Sequence, residues 1–131
     1  MKQMILAIAA TAVAFAGATP AAARYGRQPW RTVAYKTVNG RDTDNIPVRG
    51  TARYRQLKVC VYGGPIDIRD VDVFFRNGRH QDIGTRSVMR AGSCTRNLDL
   101  RGYSRDVTRV RLKYARLRRG WSHPVVRVMV R

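Results

Sequence analysis

RVRLKYARLRRGW, residues 109–121, admits two folds. Arg109, Arg111, Lys113, Arg116, Arg118 and Arg119 make almost half of it cationic. Read as a helix, Val107, Val110, Tyr114 and Leu117 recur at i, i+3, i+7 and i+10, with Ser104 placed to cap the start and Gly120 the end. Read as a strand, Val110, Leu112 and Tyr114 alternate with Arg109, Arg111 and Lys113. The helix leaves Leu112 in water and the strand buries it. The segments on either side also have β character, and agreement between neighbouring segments favours the strand.

Those neighbours set the fold class. Asn39-Gly40, Pro47 with Gly50, Gly63-Gly64-Pro65, Asn77-Gly78, Ala91-Gly92, Arg101-Gly102 and Arg119-Gly120 punctuate short runs rich in Val, Ile, Tyr and Thr. In VDVFFRNGRHQ, residues 71–81, Val71, Val73 and Phe75 alternate inward, and Asn77-Gly78 predicts a two-residue type I′ hairpin. Ile66 and Ile68 alternate in the opposite phase, so a bulge or bend is expected at Arg69-Asp70. Leu57, Val59 and Val61 share one face of a further strand, which puts Lys58, Cys60 and Tyr62 on the other. Leu98 and Leu100 are expected on the side of Cys94. Val126, Val128 and Val130 alternate with Val125, Arg127 and Met129, and apolar residues on both faces mark a strand inside a sheet. The expectation is an all-β chain, a single antiparallel β-sandwich of jelly-roll-like form.

The first 23 residues read as an address. Lys2 precedes an apolar stretch from Met4 to Ala16, followed by Gly17, Pro20 and the small run Ala21-Ala22-Ala23. This is the order of a cleaved secretory signal peptide, with cleavage expected after Ala23 and one domain from Arg24 to Arg131. The apolar stretch is shorter than the roughly 20 residues of a membrane-spanning helix. A periplasmic or secreted location follows. In such a compartment Cys60 and Cys94, the two cysteines of the chain, are expected to pair. The loop so closed, of about 35 residues, is worth roughly 4 kcal/mol on chain-entropy grounds. The outward parity of Cys60 means that the bridge needs a covered outer face or a local twist.

Charge decides what the surface attracts. Lys and Arg total 26 against 8 Asp, with no Glu, for a formal net charge of +18. Attraction to polyanions follows, while the excess of Arg is also what an arginine-biased composition produces on a solvated surface. Arg109, Arg111, Lys113, Arg116, Arg118 and Arg119 are the candidate anion-binding residues. Trp121 beside them could stack on a ring, but is expected to plug one end of the sandwich. Asp70 and Asp72 share a strand face, yet an excess of cations is expected to lower carboxylate pKa values rather than to create a general acid. His80 with Asp82 reads as a turn-exposed histidine. The serines lie in no nucleophile elbow. Two scattered cysteines and two histidines make no zinc site. Asp42-Thr43-Asp44-Asn45 has the start of a calcium loop, but Pro47 stands at the sixth position and Arg53 at the twelfth, so an Asx-type turn is expected instead. No catalytic residue, cofactor or metal is expected.

From Trp30 to Val130 the chain resembles an exported bacterial family, domain of unknown function 2541. The resemblance is carried by Trp30, the DTDNIPV segment with Asp42, Asp44, Ile46 and Val48, the DVDVFFRNG segment at 70–78, Gly92, Asp99 with Leu100, the GYSRDVTRV segment at 102–110, and Tyr114. It implies an exported β-sandwich-like domain and no activity. Arg105 is expected to clamp Asp99 or Asp42.

Three functional classes remain. The first is a non-catalytic module binding anionic envelope components: lipid head groups, polysaccharide or nucleic acid. The second is an interaction module docking on another envelope protein. The third, a hydrolase, lacks Glu and any triad. No specific small-molecule substrate is expected.

Overall fold

The computed structural model describes residues 29–102 and 104–131. The expected leader and its cleavage site lie outside the described residues. Ten strands follow in order: β1 (Arg31–Thr37), β2 (Thr43–Pro47), β3 (Arg53–Tyr54), β4 (Gln56–Tyr62), β5 (Ile66–Phe75), β6 (His80–Ile83), β7 (Ser87–Met89), β8 (Leu98–Asp99), β9 (Arg105–Tyr114) and β10 (Val125–Val130). Among the described residues there is no helix. The opening stretch is therefore strand as far as Tyr114.

One sheet runs β1-β10-β4-β8, and the other runs β2-β9-β5-β6, with β3 added on β9 and β7 on β5. The chain crosses between the sheets in the order of a jelly roll, whose paired Greek keys interleave early and late strands. Every pairing is antiparallel. β10 is an interior strand between β1 and β4, as its apolar residues on both faces require.

The core is the sum of the inward parities. Leu57, Val59 and Val61 of β4 and Val126, Val128 and Val130 of β10 face Ile68, Val71 and Val73 of β5 and Val110 and Leu112 of β9, all closed to solvent. Each such side chain contributes about 1.5–3 kcal/mol relative to exposure. The phase slip in β5 is a bulge: Ile68 pairs with Tyr114 and Asp70 with Lys113, leaving Arg69 without an opposite residue. That one extra residue lets Ile66 and Ile68 point inward before it, and Val71, Val73 and Phe75 after it. It also turns Asp70 and Asp72 outward.

The β5–β6 turn lies one residue earlier than Asn77-Gly78 predicts. Gly78 N–H donates to Phe75 O at 3.0 Å and Phe75 N–H to Arg79 O at 2.8 Å, so Arg76 and Asn77 are the central residues. Gly78 follows them at φ 87°. This is the three-residue loop in which a left-handed glycine closes a type I turn. The side chain of Asn77 accepts from Arg79 N–H at 2.9 Å, which holds Asn77 at the second central position.

Cys60 and Cys94 form a disulfide, directly opposite each other where the 92–95 segment runs along β4. Val61 N–H donates to Ser93 O and Thr95 N–H to Val59 O on either side of the pair. Cys60 points to the outer face, as its parity requires, and is nonetheless closed to solvent. Its Sγ lies 3.6 Å from Met129 Sδ on β10. Leu98 and Leu100 are buried on the inner side, opposite to Cys94, because residues 95–97 leave the ladder and break strict alternation.

Asp44 is the buried polar centre of one end. It lies within β2, not in an Asx turn, and faces inward. Its Oδ2 accepts from the Tyr114 hydroxyl and from Asn39 N–H, and its Oδ1 pairs with Lys36 Nζ at 2.9 Å. Gly40 N–H in turn donates to the Tyr114 oxygen at 2.9 Å. Burial alone would raise the pKa of Asp44; the hydroxyl of Tyr114, the ammonium of Lys36 and the N–H of Asn39 together hold it below the ordinary 3.8. Burial and then the Asp44 carboxylate push the Tyr114 hydroxyl up. The β1–β2 turn, β2 and β9 are thereby tied at one point.

A depressed carboxyl pKa stabilises the fold above pH 3.8, and that contribution disappears as pH falls through the lower folded value. Tyr114→Phe removes the hydroxyl that Asp44 and Gly40 share. It is expected to cost about 1–3 kcal/mol and to move the acid-unfolding midpoint to higher pH, as followed by far-ultraviolet circular dichroism.

Candidate anion-binding faces

The outer face of the β2-β9-β5-β6 sheet carries the row anticipated from the sequence. Pairing sets Lys113 between Thr43 and Asp70, Arg111 between Asn45 and Asp72, and Arg109 between Pro47 and Phe74. One strand further, Asp82 stands opposite Asp72 and His80 opposite Phe74. Arg109 and Arg111 both lie over the Phe74 ring, at 3.9 and 5.0 Å from its centre, and His80 stacks on it at 5.4 Å. Arg111 also donates through Nε and Nη2 to Asp72 Oδ2, each at 3.2 Å.

The basic row thus faces an acidic one. Carboxylate oxygens of Asp70, Asp72 and Asp82 lie within 4.8 Å of one another. They are the group of potential cation ligands among the described residues, and Arg111 already supplies positive charge there. Asp70 departs from the expectation of lowered carboxyl pKa values: burial, then the hydrogen bond and charge of Asp82, push it up to about 6. At this carboxyl, burial first, and then the like charges of Asp82 and Asp72, outweigh the global excess of cations.

Arg116, Arg118 and Arg119 lie beyond the end of β9 in the 115–124 connection, exposed, and do not join the row. Trp121 does not plug the sandwich. It is 47% exposed, with Arg118 at 5.4 Å from its ring centre, while Leu117 packs on the core instead. Arg105 clamps neither Asp99 nor Asp42. Its guanidinium covers Phe75 at 3.7 Å and donates to Arg101 O.

The outer face of the β1-β10-β4-β8 sheet has a different composition. The registers place Tyr35 beside Arg127 and Cys60, Thr32 beside Met129 and Lys58, and Thr37 beside Val125 and Tyr62. Arg127 lies over Tyr62 at 4.4 Å. Lys58 and Arg131 share the ring of Trp30, at 4.4 and 4.5 Å. Tyr35 is 73% exposed. Asp99 is the acid of this sheet, and it stands on the edge strand β8, where Gln56 donates to its Oδ1. Cations and rings therefore alternate over a face with little negative charge. Sequence reasoning missed this face. Its parts were visible as the outward parities of β4 and β10, but their adjacency is a tertiary fact.

The chain is a β-sandwich of jelly-roll topology with two unlike outer faces. It belongs to the family described as Domain of unknown function (DUF2541), whose pattern matches residues 4–129. No curated protein matches it. Among solved structures it is similar to Pseudomonas aeruginosa AlgX, with a TM-score of 0.52 and 11% identity. The match covers 77% of this chain and 27% of the AlgX chain, so this chain corresponds to about a quarter of that protein. At that identity the likeness concerns the fold alone.

Folding raises the pKa of Asp70, so its contribution favours the native state most at acid pH and is lost as pH rises through about 6. Asp82→Asn removes the neighbour that opposes ionisation. The variant is expected to gain up to about 1 kcal/mol at pH 7.5 and little at pH 5, as measured by paired thermal melts.

Proposed function

We propose that this chain is an exported, non-catalytic module that binds anionic envelope material through the outer face of the β1-β10-β4-β8 sheet. The observation that carries this reading is the interleaving of Lys58, Arg127 and Arg131 with Trp30, Tyr35 and Tyr62 on a face whose acid, Asp99, stands at its edge. Rings give flat stacking surfaces to sugars or bases, and the adjacent cations neutralise phosphate or carboxylate. The opposite face is a weaker candidate, because Asp70, Asp72 and Asp82 offset Arg109, Arg111 and Lys113. The Cys60–Cys94 disulfide supports a compartment outside the cytosol, periplasmic or secreted. The amino-terminal stretch reads as the leader that takes the chain there.

Binding to anionic vesicles, single-stranded DNA and an acidic polysaccharide is compared across salt concentrations. Lys58→Gln with Arg127→Gln is expected to weaken binding at least about tenfold and to lower the salt slope by roughly 0.7–0.9 for each phosphate no longer neutralised. Arg109→Gln with Lys113→Gln is expected to change it less. Salt-insensitive binding, or equal weakening by both pairs, refutes the assignment of this face. Recovery of one stoichiometric protein partner without polymer binding would move the chain to the class of docking modules. Mass spectrometry of the exported protein is expected to find Arg24 at its amino terminus.

A further inference from the structure

Tyr35, Arg127, Cys60 and Cys94 stand in one lateral row on the outer face of the β1-β10-β4-β8 sheet, each opposite the next. The two ends of the bridge in that row differ. Cys60 is closed to solvent, whereas Cys94, on the segment at the margin of β4, is exposed. Lys58 and Tyr62 flank Cys60 along the same face of β4, and the guanidinium of Arg127 lies over Tyr62. Arg90 and Arg96, on either side of Cys94 in sequence, are exposed.

The ladder sets the spacing of the two cysteines. Val61 N–H donates to Ser93 O at 2.9 Å and Thr95 N–H to Val59 O at 2.8 Å. Bonds one residue to either side make Cys60 and Cys94 a non-hydrogen-bonded pair. Strands hold the Cα atoms of such a pair about 4.5 Å apart, at the short end of the usual range for disulfides, whose mode is about 5.5–6 Å. An exposed bridge whose spacing is imposed by its strands belongs with the labile disulfides rather than the structural ones. The neighbouring contacts do not depend on it. Gly92 N–H donates to Val61 O at 2.6 Å, and the Thr95 hydroxyl accepts from Val59 N–H at 3.1 Å. With these in place the 92–95 segment stays on β4 when the sulfurs part.

We infer that the bridge is a site of reversible exchange with a small anionic thiol, which attacks at Cys94 Sγ. The incoming thiolate bonds to Cys94 Sγ, the Sγ–Sγ bond breaks, and its electron pair leaves on Cys60 Sγ. The thiol is oxidised to a mixed disulfide as Cys60 is reduced, and no other oxidant or reductant takes part. Burial closes Cys60 to the same attack. Arg127, next to Cys60 in the row, and Lys58 on the same face supply positive charge for the departing thiolate. That thiolate remains opposite Cys94, so it can attack the mixed disulfide in turn and expel the thiol. The cations around both sulfurs favour a thiol that carries carboxylates.

The disulfide-bonded protein is incubated with reduced glutathione, quenched in acid, alkylated and mapped by mass spectrometry. Early in the reaction the expected product carries glutathione on Cys94 and the alkyl group on Cys60. Opening is expected to be first order in glutathione and to proceed at the same rate in Tyr114→Phe. A bridge reached only by unfolding would open at least about fivefold faster in that less stable variant. Cysteamine, a cationic thiol, is expected to react more slowly at equal thiolate concentration, by a margin that shrinks with added salt. Should the adduct turn over too fast to collect, the single variants read the same preference, once thermal melts show that they fold. With oxidised glutathione, Cys60→Ser is expected to be modified at least about tenfold faster than Cys94→Ser. Cys60 left unalkylated throughout, preferential modification of Cys60, a rate that follows the stability of the fold, or equal rates with both thiols overturns the inference.

Discussion

Eight carboxylates must serve a chain with 26 lysines and arginines, and where they stand determines the rest of the surface. Asp44 is inside, with Lys36. Asp67 meets Arg69, and Asp106 meets Arg76. Asp70, Asp72 and Asp82 gather on one sheet. The other sheet holds Asp99 at its edge. Aromatic rings take the place of the missing acids: Phe74 under Arg109, Phe75 under Arg105, Tyr62 under Arg127, and Trp30 between Lys58 and Arg131. An exposed cation–π contact is worth about 0.5–1 kcal/mol, comparable with the roughly 0–1 kcal/mol of a surface ion pair. The exchange differs in one respect. A salt bridge cancels charge, whereas a ring positions a cation and leaves its charge intact.

The fold and this charge pattern are made by the same local devices. The extra residue at Arg69 keeps apolar side chains inward along the whole of β5 and sends Asp70 and Asp72 out beside β9. Without the slip, the inward alternation of Ile66 and Ile68 would continue onto those acids. The disulfide closes Cys60 to solvent on the opposite face, beside Met129. The Asp44–Tyr114 contact then ties the turn after β1, through Asn39 and Gly40, to β2 and β9.

Period-2 alternation made most of this legible. Leu112 decided between helix and strand for the stretch at 109–121, and the opposed phases of Ile68 and Val71 located the irregularity to Arg69-Asp70. The outward direction of Cys60 was legible too. What alternation does not carry is lateral adjacency. Nothing in residues 125–130 says that β10 lies between β1 and β4, so Arg127 could not be set beside Tyr35 and Cys60. The same gap hid the three acids around Asp70, because Asp82 reaches them only through the register of a hairpin. That hairpin turned one residue early because a left-handed Gly78 fits the end of a three-residue loop as well as the middle of a two-residue one. Trp121 failed for another reason: of the apolar residues in its connection, it is Leu117 that packs against the core, and Trp121 stays half exposed.

Fold likeness leaves the function open, since jelly-roll sandwiches carry unrelated activities and differ in what their faces display. The choice between a composition effect and a binding surface therefore turns on distribution. An arginine bias acting alone places cations wherever the surface is wet, and both outer faces do carry them. It gives no reason for three of the eight carboxylates to converge on one face while the opposite sheet has its acid only at the edge. Nor does it explain why the cations of that sheet stand over rings rather than in open solvent. Stacking fixes their positions at a cost in side-chain entropy. Such ordering leaves less to be lost when an external anion meets them. Rings hold cations on both sheets, and the sheet whose acid stands at the edge keeps more of that charge uncancelled on its outer face, which is what the proposed binding of a polyanion would use.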